Sequence, residues 1–199
     1  MLEIFLKGGP LMYPILACSV MALTIFLERT WTYVRVRQGT LSLLREVENL
    51  VRKDKLDEAV IVCQRAGTPL ARIFLAALRS AGKSREHIKG LVEEVGGREA
   101  APLERYLGFL GTIATISPLL GLLGTVLGMI NAFTILTIQG VGTPATLGGG
   151  ISQALITTAA GMSVAIPTIL LHKYLASRAE RIVAEMEEYS LHLVDLLGS

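Results

Sequence analysis

Residues 106–172 contain no Lys, Arg, Asp or Glu, in a chain of which 18% of residues are charged. Two apolar segments lie inside that window, at 106–139 and 151–172, joined by the glycine-rich residues 140–150. About 20 mostly apolar residues suffice for a helix to cross about 30 Å of hydrocarbon, so each segment can span a bilayer. A third apolar run, at 11–27, closes on Glu28-Arg29-Thr30-Trp31-Thr32-Tyr33, whose aromatics suit the headgroup level. The polarity left inside the window is informative. Thr112, Thr115, Thr125, Gln153, Thr157, Thr158 and Thr168 exceed what a plain anchor needs.

A length of 199 residues could hold one or two soluble domains, but the mean hydropathy of +0.53 argues against a purely soluble chain. The first apolar run does not read as a cleaved signal peptide. Glu3 and Lys7 cancel, and no small-residue cleavage site follows. Ile15-Leu16-Ala17-Cys18 faintly resembles a lipoprotein cleavage box, yet a cut there bisects the apolar run. An uncleaved helix is expected.

The 19 basic residues set the orientation. One, Lys7, precedes the first span, fifteen lie between Arg29 and Arg105, none separates the second and third spans, and Lys173, Arg178 and Arg181 follow. By the positive-inside rule the middle region and the C-terminal tail are cytoplasmic, with the N-terminus and the 140–150 linker outside. The expected order is an outward amphipathic start at 1–10, a first span at 11–31, and a cytoplasmic helical region at 32–105. A second span at 106–139, the linker at 140–150, a third span at 151–173 and a cytoplasmic C-terminal helix at 174–199 complete it. Cys18 falls in a span and Cys63 in the cytoplasmic region, so no disulfide is expected.

The cytoplasmic region carries helical punctuation. Leu41, Leu44, Val47 and Val51 recur at spacings of three and four. Asp54 is expected to cap a helix at 55–66 that ends at Gly67. Thr68-Pro69 opens the next helix, Gly82 closes it, and Ser84 starts another. Pro102 suits a first helical turn, which predicts one long helix from near Ala101 to Gln139. No β-type alternation appears, so the fold class is an all-α membrane protein with long cytoplasmic helical extensions.

Within the second span Gly121, Thr125, Gly128 and Ala132 share one face, and Gly124 and Gly128 form a small-xxx-small pair. Ala154, Thr158, Gly161 and Ala165 repeat the arrangement in the third. Small residues let helix backbones approach closely in lipid, so Gly121, Gly124, Gly128 and Gly161 are packing candidates. Pro118 and Pro167 are expected to bend or loosen their spans. Each threonine can bond its own i−4 carbonyl and be purely structural. Thr125, Thr157, Thr158 and Gln153 could instead line a common uncharged, hydroxyl-bearing passage. Periodicity leaves both readings open. An enzyme is not expected: no Ser–His pair, paired Asp or metal-ligand cluster lies in a span, His172 sits at a membrane edge, and His87 and His192 are cytoplasmic.

The run Gly121-Leu122-Leu123-Gly124-Thr125-Val126-Leu127-Gly128-Met129-Ile130, followed by Ile151-Ser152-Gln153-Ala154-Leu155-Ile156-Thr157-Thr158-Ala159-Ala160-Gly161-Met162-Ser163-Val164-Ala165-Ile166-Pro167, resembles the MotA/TolQ/ExbB proton-channel family. Gly9-Pro10-Leu11-Met12-Tyr13-Pro14, Leu27-Glu28-Arg29 and Pro69-Leu70-Ala71-Arg72 resemble it as well. Three spans match the ExbB and TolQ branch. The resemblance implies a homopentameric motor subunit of the bacterial inner membrane, built around a central pore that holds single-span ExbD- or TolR-like partners. Such a motor couples the proton motive force to work on the cell envelope. Thr125 and Thr158 match the family's pore-lining threonines, and Gln153 stands where several members carry Glu. The last two spans then offer no carboxylate, so the implied proton acceptor is the partner's membrane Asp. No cofactor or metal is implied. The competing expectation is a non-conducting membrane scaffold.

Overall fold

The computed structural model of the chain describes residues 2–139 and 144–198. Among them the helices are α1 (Leu2–Lys7), α2 (Met12–Arg52), α3 (Leu56–Ala66), α4 (Pro69–Arg79), α5 (Arg85–Glu104), α6 (Leu107–Gln139) and α7 (Pro144–Leu197). No strand occurs among the described residues. Three stretches, within Met12–Arg52, Arg85–Ile138 and Gly148–Leu197, are long and apolar enough to cross a membrane. The chain is a multi-pass membrane protein of all-α class.

Two compact units share these helices. One comprises Met1–Leu27 with Tyr106–Tyr174, the other Glu28–Arg105 with Leu175–Ser199. In the first unit many buried side chains are small, beside a few large ones such as Ile15, Leu110 and Ile113, and many large ones face outward. Cys18, Ala22, Ala114, Ser117, Ala132, Ala154, Thr157 and Ala165 are buried, while Leu23, Phe109, Leu122, Phe133, Leu155 and Leu170 are exposed. Water-driven folding produces the opposite sorting. Lipid permits this one, because helices there associate by close packing and not by hiding apolar area.

The second unit sorts as a soluble domain does. Phe74, Leu70, Ile73, Ile88, Val92, Val47, Leu175, Ile182 and Val194 are buried together with Cys63. Its helix ends follow local chemistry. Gly67 closes α3 with a left-handed φ of 59°, and Thr68 opens α4 by accepting the Ala71 amide at 3.3 Å. Ser84 opens α5 by accepting the His87 amide at 3.4 Å. Asp54 does not cap α3 as expected. It adopts a left-handed φ of 58°, which Asp tolerates, and the cap position passes to Lys55 without a side-chain bond. Burial pushes the Cys63 thiol up to about 11.

Two further helix ends differ from the sequence expectation. Helix α7 begins at Pro144, so residues 144–150 are helical and not part of a linker over 140–150; residues 140–143 of that linker lie outside the described residues. Proline suits a first helical position because its φ is preset and its missing N–H is not needed there. The single long helix from Ala101 to Gln139 is also replaced. Pro102 lies in the last turn of α5, Arg105 is extended, Tyr106 takes a left-handed φ of 69°, and α6 starts at Leu107. At 33 residues α6 is about 50 Å long.

What ends α5 comes from 70 residues upstream. The last carbonyls of a helix lack intrahelical donors. On α5, Pro102 O receives Arg29 Nη1 at 2.8 Å and Leu103 O receives the Tyr33 hydroxyl at 2.8 Å. Arg29 is only 6% exposed, and Glu28 Oε1 holds its Nη2 at 2.7 Å. A cation at a helix C-terminus also complements the macrodipole. Replacing Tyr33 by Phe strands the Leu103 carbonyl and should cost about 1–3 kcal/mol, read as a lowered thermal midpoint of the full chain in detergent; an unchanged midpoint would refute the clamp. Cys63 should resist alkylation at pH 7–8, where a thiol near 11 is protonated, and react readily once the chain is denatured.

Candidate functional site in the membrane unit

Helices α6 and α7 meet backbone to backbone. A Cβ placed on Gly161 would lie 2.6 Å from the Ser117 carbonyl oxygen and 3.1 Å from Gly121 Cα. One on Gly121 would lie 3.0 Å from Thr158 Cα, and one on Gly128 would lie 2.9 Å from the Gly150 carbonyl oxygen. At Gly124 the obstacle is the Thr157 side chain, 2.4 Å away. Glycine is needed here because any side chain would wedge the helices apart. Pro118 and Pro167 lie inside these two helices, which continue through them. Beside them Ser117 and Thr168 are buried, and their hydroxyls donate to Ile113 O at 2.8 Å and Val164 O at 2.7 Å.

The seam positions the threonines. Thr158 Oγ1 donates across it to the Gly121 carbonyl at 2.9 Å. In a helix that carbonyl is also the acceptor of the residue-125 amide, four positions on. The Thr158 hydroxyl and the Thr125 backbone amide therefore share one carbonyl, while the Thr125 hydroxyl bonds elsewhere. The Thr125 hydroxyl donates to Leu122 O at 2.6 Å and borders an open groove on α6 with Met129, Phe133, Thr134 and Thr137.

Thr157 and Gln153 lie elsewhere. Thr157 is fully buried, with Oγ1 at 2.7 Å from the Gly8 carbonyl and 2.8 Å from its own i−4 carbonyl, Gln153 O, so one proton is shared between two acceptors. Gln153 packs on Gly9, where a Cβ would fall 2.0 Å from its Nε2 and where φ is +75°. The reason is angular. At roughly 100° per residue, Thr158 and Gln153 are separated by about 140° around α7, with the seam residues Ala154, Thr157 and Gly161 between them. The four polar residues expected to share one passage are thus divided by the seam: Thr125 and Thr158 on one edge, Gln153 on the other, and Thr157 inside.

Sequence reasoning missed Asn131, Thr134, Thr137 and the Gly8 carbonyl. Asn131 could have been found, being the one Asn within the second span. The Gly8 carbonyl could not, since a backbone acceptor leaves no side-chain signal.

Comparison with known proteins bears on the same helices. The model of the MotA/TolQ/ExbB proton channel family matches residues 65–188. A Synechocystis sp. biopolymer transport protein, ExbB-like 1, is 38% identical over 180 residues, covering 89% of this chain and 71% of its own. A second Synechocystis sp. protein, ExbB-like 3, is 34% identical over 187 residues, covering 92% and 88%. The Tol-Pal system protein TolQ of Pseudomonas aeruginosa is 41% identical over 86 residues, covering 43% and 37%.

The seam makes a paired prediction. Gly161→Ala must displace the backbone of α6 and should lower the thermal midpoint in detergent clearly. Gly108→Ala, where a Cβ meets nothing within 4 Å, should be neutral or stabilising by up to about 1 kcal/mol. Equal effects of the two would show that α6 and α7 do not pack closely.

Proposed function

The chain belongs to the MotA/TolQ/ExbB proton channel family, and on that premise we propose that it is the multi-pass subunit of a proton-driven motor. In this reading five copies surround a central pore in the inner membrane, with the N-terminus outside and the C-terminus in the cytoplasm. A single-span partner of ExbD or TolR type stands in the pore and carries the carboxylate. The work is delivered to the cell envelope, in energised outer-membrane transport or envelope maintenance.

The observation that carries the proposal is the Thr158 hydroxyl bonded across the seam to the Gly121 carbonyl, with the Thr125 hydroxyl one helical turn further along α6 on Leu122 O, in a window without one charged side chain. A hydroxyl both donates and accepts, so it can hand a hydrogen bond to a passing carboxyl group or water and take one back. A fixed charge at that depth would cost a few kcal/mol to hold in the membrane, and it would trap a partner's carboxylate. Neutral walls avoid both costs. Thr125 and Thr158 line the path in this reading. Thr157 and Gln153 support it from behind by holding α7 to the N-terminal turn. The driving force, about 2.3 kcal/mol per charge per 100 mV, exceeds the net worth of one hydrogen bond.

One observation favours the scaffold reading: the hydroxyls of Thr112, Thr115, Thr125 and Thr158 all bond backbone carbonyls, as purely structural hydroxyls do. Thr158→Val and Thr158→Ser separate the two, measured as potential-driven proton flux in liposomes holding the chain and its partner. In the motor, Thr158→Val assembles and loses roughly tenfold in flux, equivalent to about 1.4 kcal/mol, whereas Thr158→Ser keeps most of it. Unchanged flux in an assembled Thr158→Val complex would support the scaffold.

A further inference from the structure

We propose that each protomer holds a water-filled pocket of its own, in which two primary amides stand among mostly apolar walls, on the opposite edge of the α6–α7 seam from Thr125 and Thr158. The pocket has a volume of about 190 Å³ and is bounded by Gly8, Pro10, Leu11, Gly124, Leu127, Asn131 and Gln153. The turn between α1 and α2 borders one side of it and α6 and α7 border two others, and the pocket is partly open at Asn131, which is exposed.

Position comes first. Asn131 lies six residues beyond Thr125, about 120° around the helix on the shorter way, and Gly128 and Gly124 fall between them. Gln153 stands in the same relation to Thr158 on α7. The two amides therefore belong to one edge of the seam and the two threonines to the other. Tight backbone contacts at Gly121, Gly128 and Gly161 leave no room for water to cross.

The occupant follows from hydrogen-bonding capacity. Each primary amide carries two N–H donors and one carbonyl acceptor. Among the described residues neither the Asn131 nor the Gln153 side chain has a hydrogen-bond partner. The Gly8 carbonyl is already taken by Thr157. Amides left bare in hydrocarbon are costly, and an acyl chain offers them nothing. Water satisfies donors and acceptors alike, and at about 30 Å³ per molecule several fit. Gly9 keeps the pocket formed: its φ of +75° and the Gln153 amide against it exclude any side chain there.

This inference depends on the membrane-spanning reading and not on proton conduction. Its test is thiol labelling of the full chain in open membrane fragments, with Cys18 and Cys63, both buried, replaced by Ala. The probe is a charged, membrane-impermeant methanethiosulfonate. Asn131→Cys should react at least tenfold faster than Ala132→Cys, which lies at the same depth but in the seam and is 3% exposed in the native chain. Adding Gln153→Leu to Asn131→Cys should slow its labelling at least tenfold, because the pocket then keeps neither amide and dries. Leu127→Cys serves as the second reporter if Asn131→Cys fails to accumulate. In a conducting complex, labelled Asn131→Cys should keep its proton flux and labelled Thr125→Cys should lose it. Assembled protein in which neither Asn131→Cys nor Leu127→Cys reacts would overturn the proposal, leaving lipid or protein as the occupant. Loss of flux on labelling Asn131→Cys would overturn the separation from the threonine edge. A chain that labels as described yet conducts no protons under any condition leaves the pocket standing and removes the motor.

Discussion

The backbone contact between α6 and α7 is the constraint on which the membrane unit depends. Where Gly161 meets Ser117 and Gly121, and Gly128 meets Gly150, no side chain separates the helices. Apolar burial cannot drive this approach in a lipid solvent, so dispersion and interhelical hydrogen bonds must hold it. The Thr158 bond to the Gly121 carbonyl is one of those bonds. The same contact sets the angular position of every other polar group, because α7 cannot rotate against α6 without a clash.

Two chemically distinct edges result. One presents the Thr125 and Thr158 hydroxyls, each bonded to a separate carbonyl, with Thr125 at an open groove; the other presents two primary amides and a backbone turn. Neither holds a charge, and the whole window between Tyr106 and His172 is neutral in sequence. A neutral wall that can exchange hydrogen bonds is a reasonable surface for a mobile carboxyl group to pass. The charges are instead gathered in the second unit, where Arg29 closes α5 and exposed pairs such as Arg85–Asp195 contribute little each.

Much of this was legible before any coordinates. The charge-free window holds the apolar stretches of α6 and α7, the glycines at helical spacing fall where those two helices meet, and Gly67, Thr68 and Ser84 marked helix ends by local rules. What escaped was non-local. The end of α5 depends on Arg29 and Tyr33, so Pro102 alone pointed to the wrong helix boundary. The start of α7 at Pro144 was hidden by glycines that read as a linker, although Gly150 packs within the seam against Ala132. Periodicity likewise left open whether Thr125, Thr157, Thr158 and Gln153 share one passage. Only the direction of the seam divides them, and that direction requires both helices at once.

The most direct test of the account is an experimental structure of the assembled complex in lipid. The account predicts Thr125 and Thr158 facing a central lumen occupied by partner helices, with the Gly161–Ser117 contact intact inside each protomer. Thr125 turned toward lipid, or α6 and α7 of one chain held apart by side chains, would contradict it.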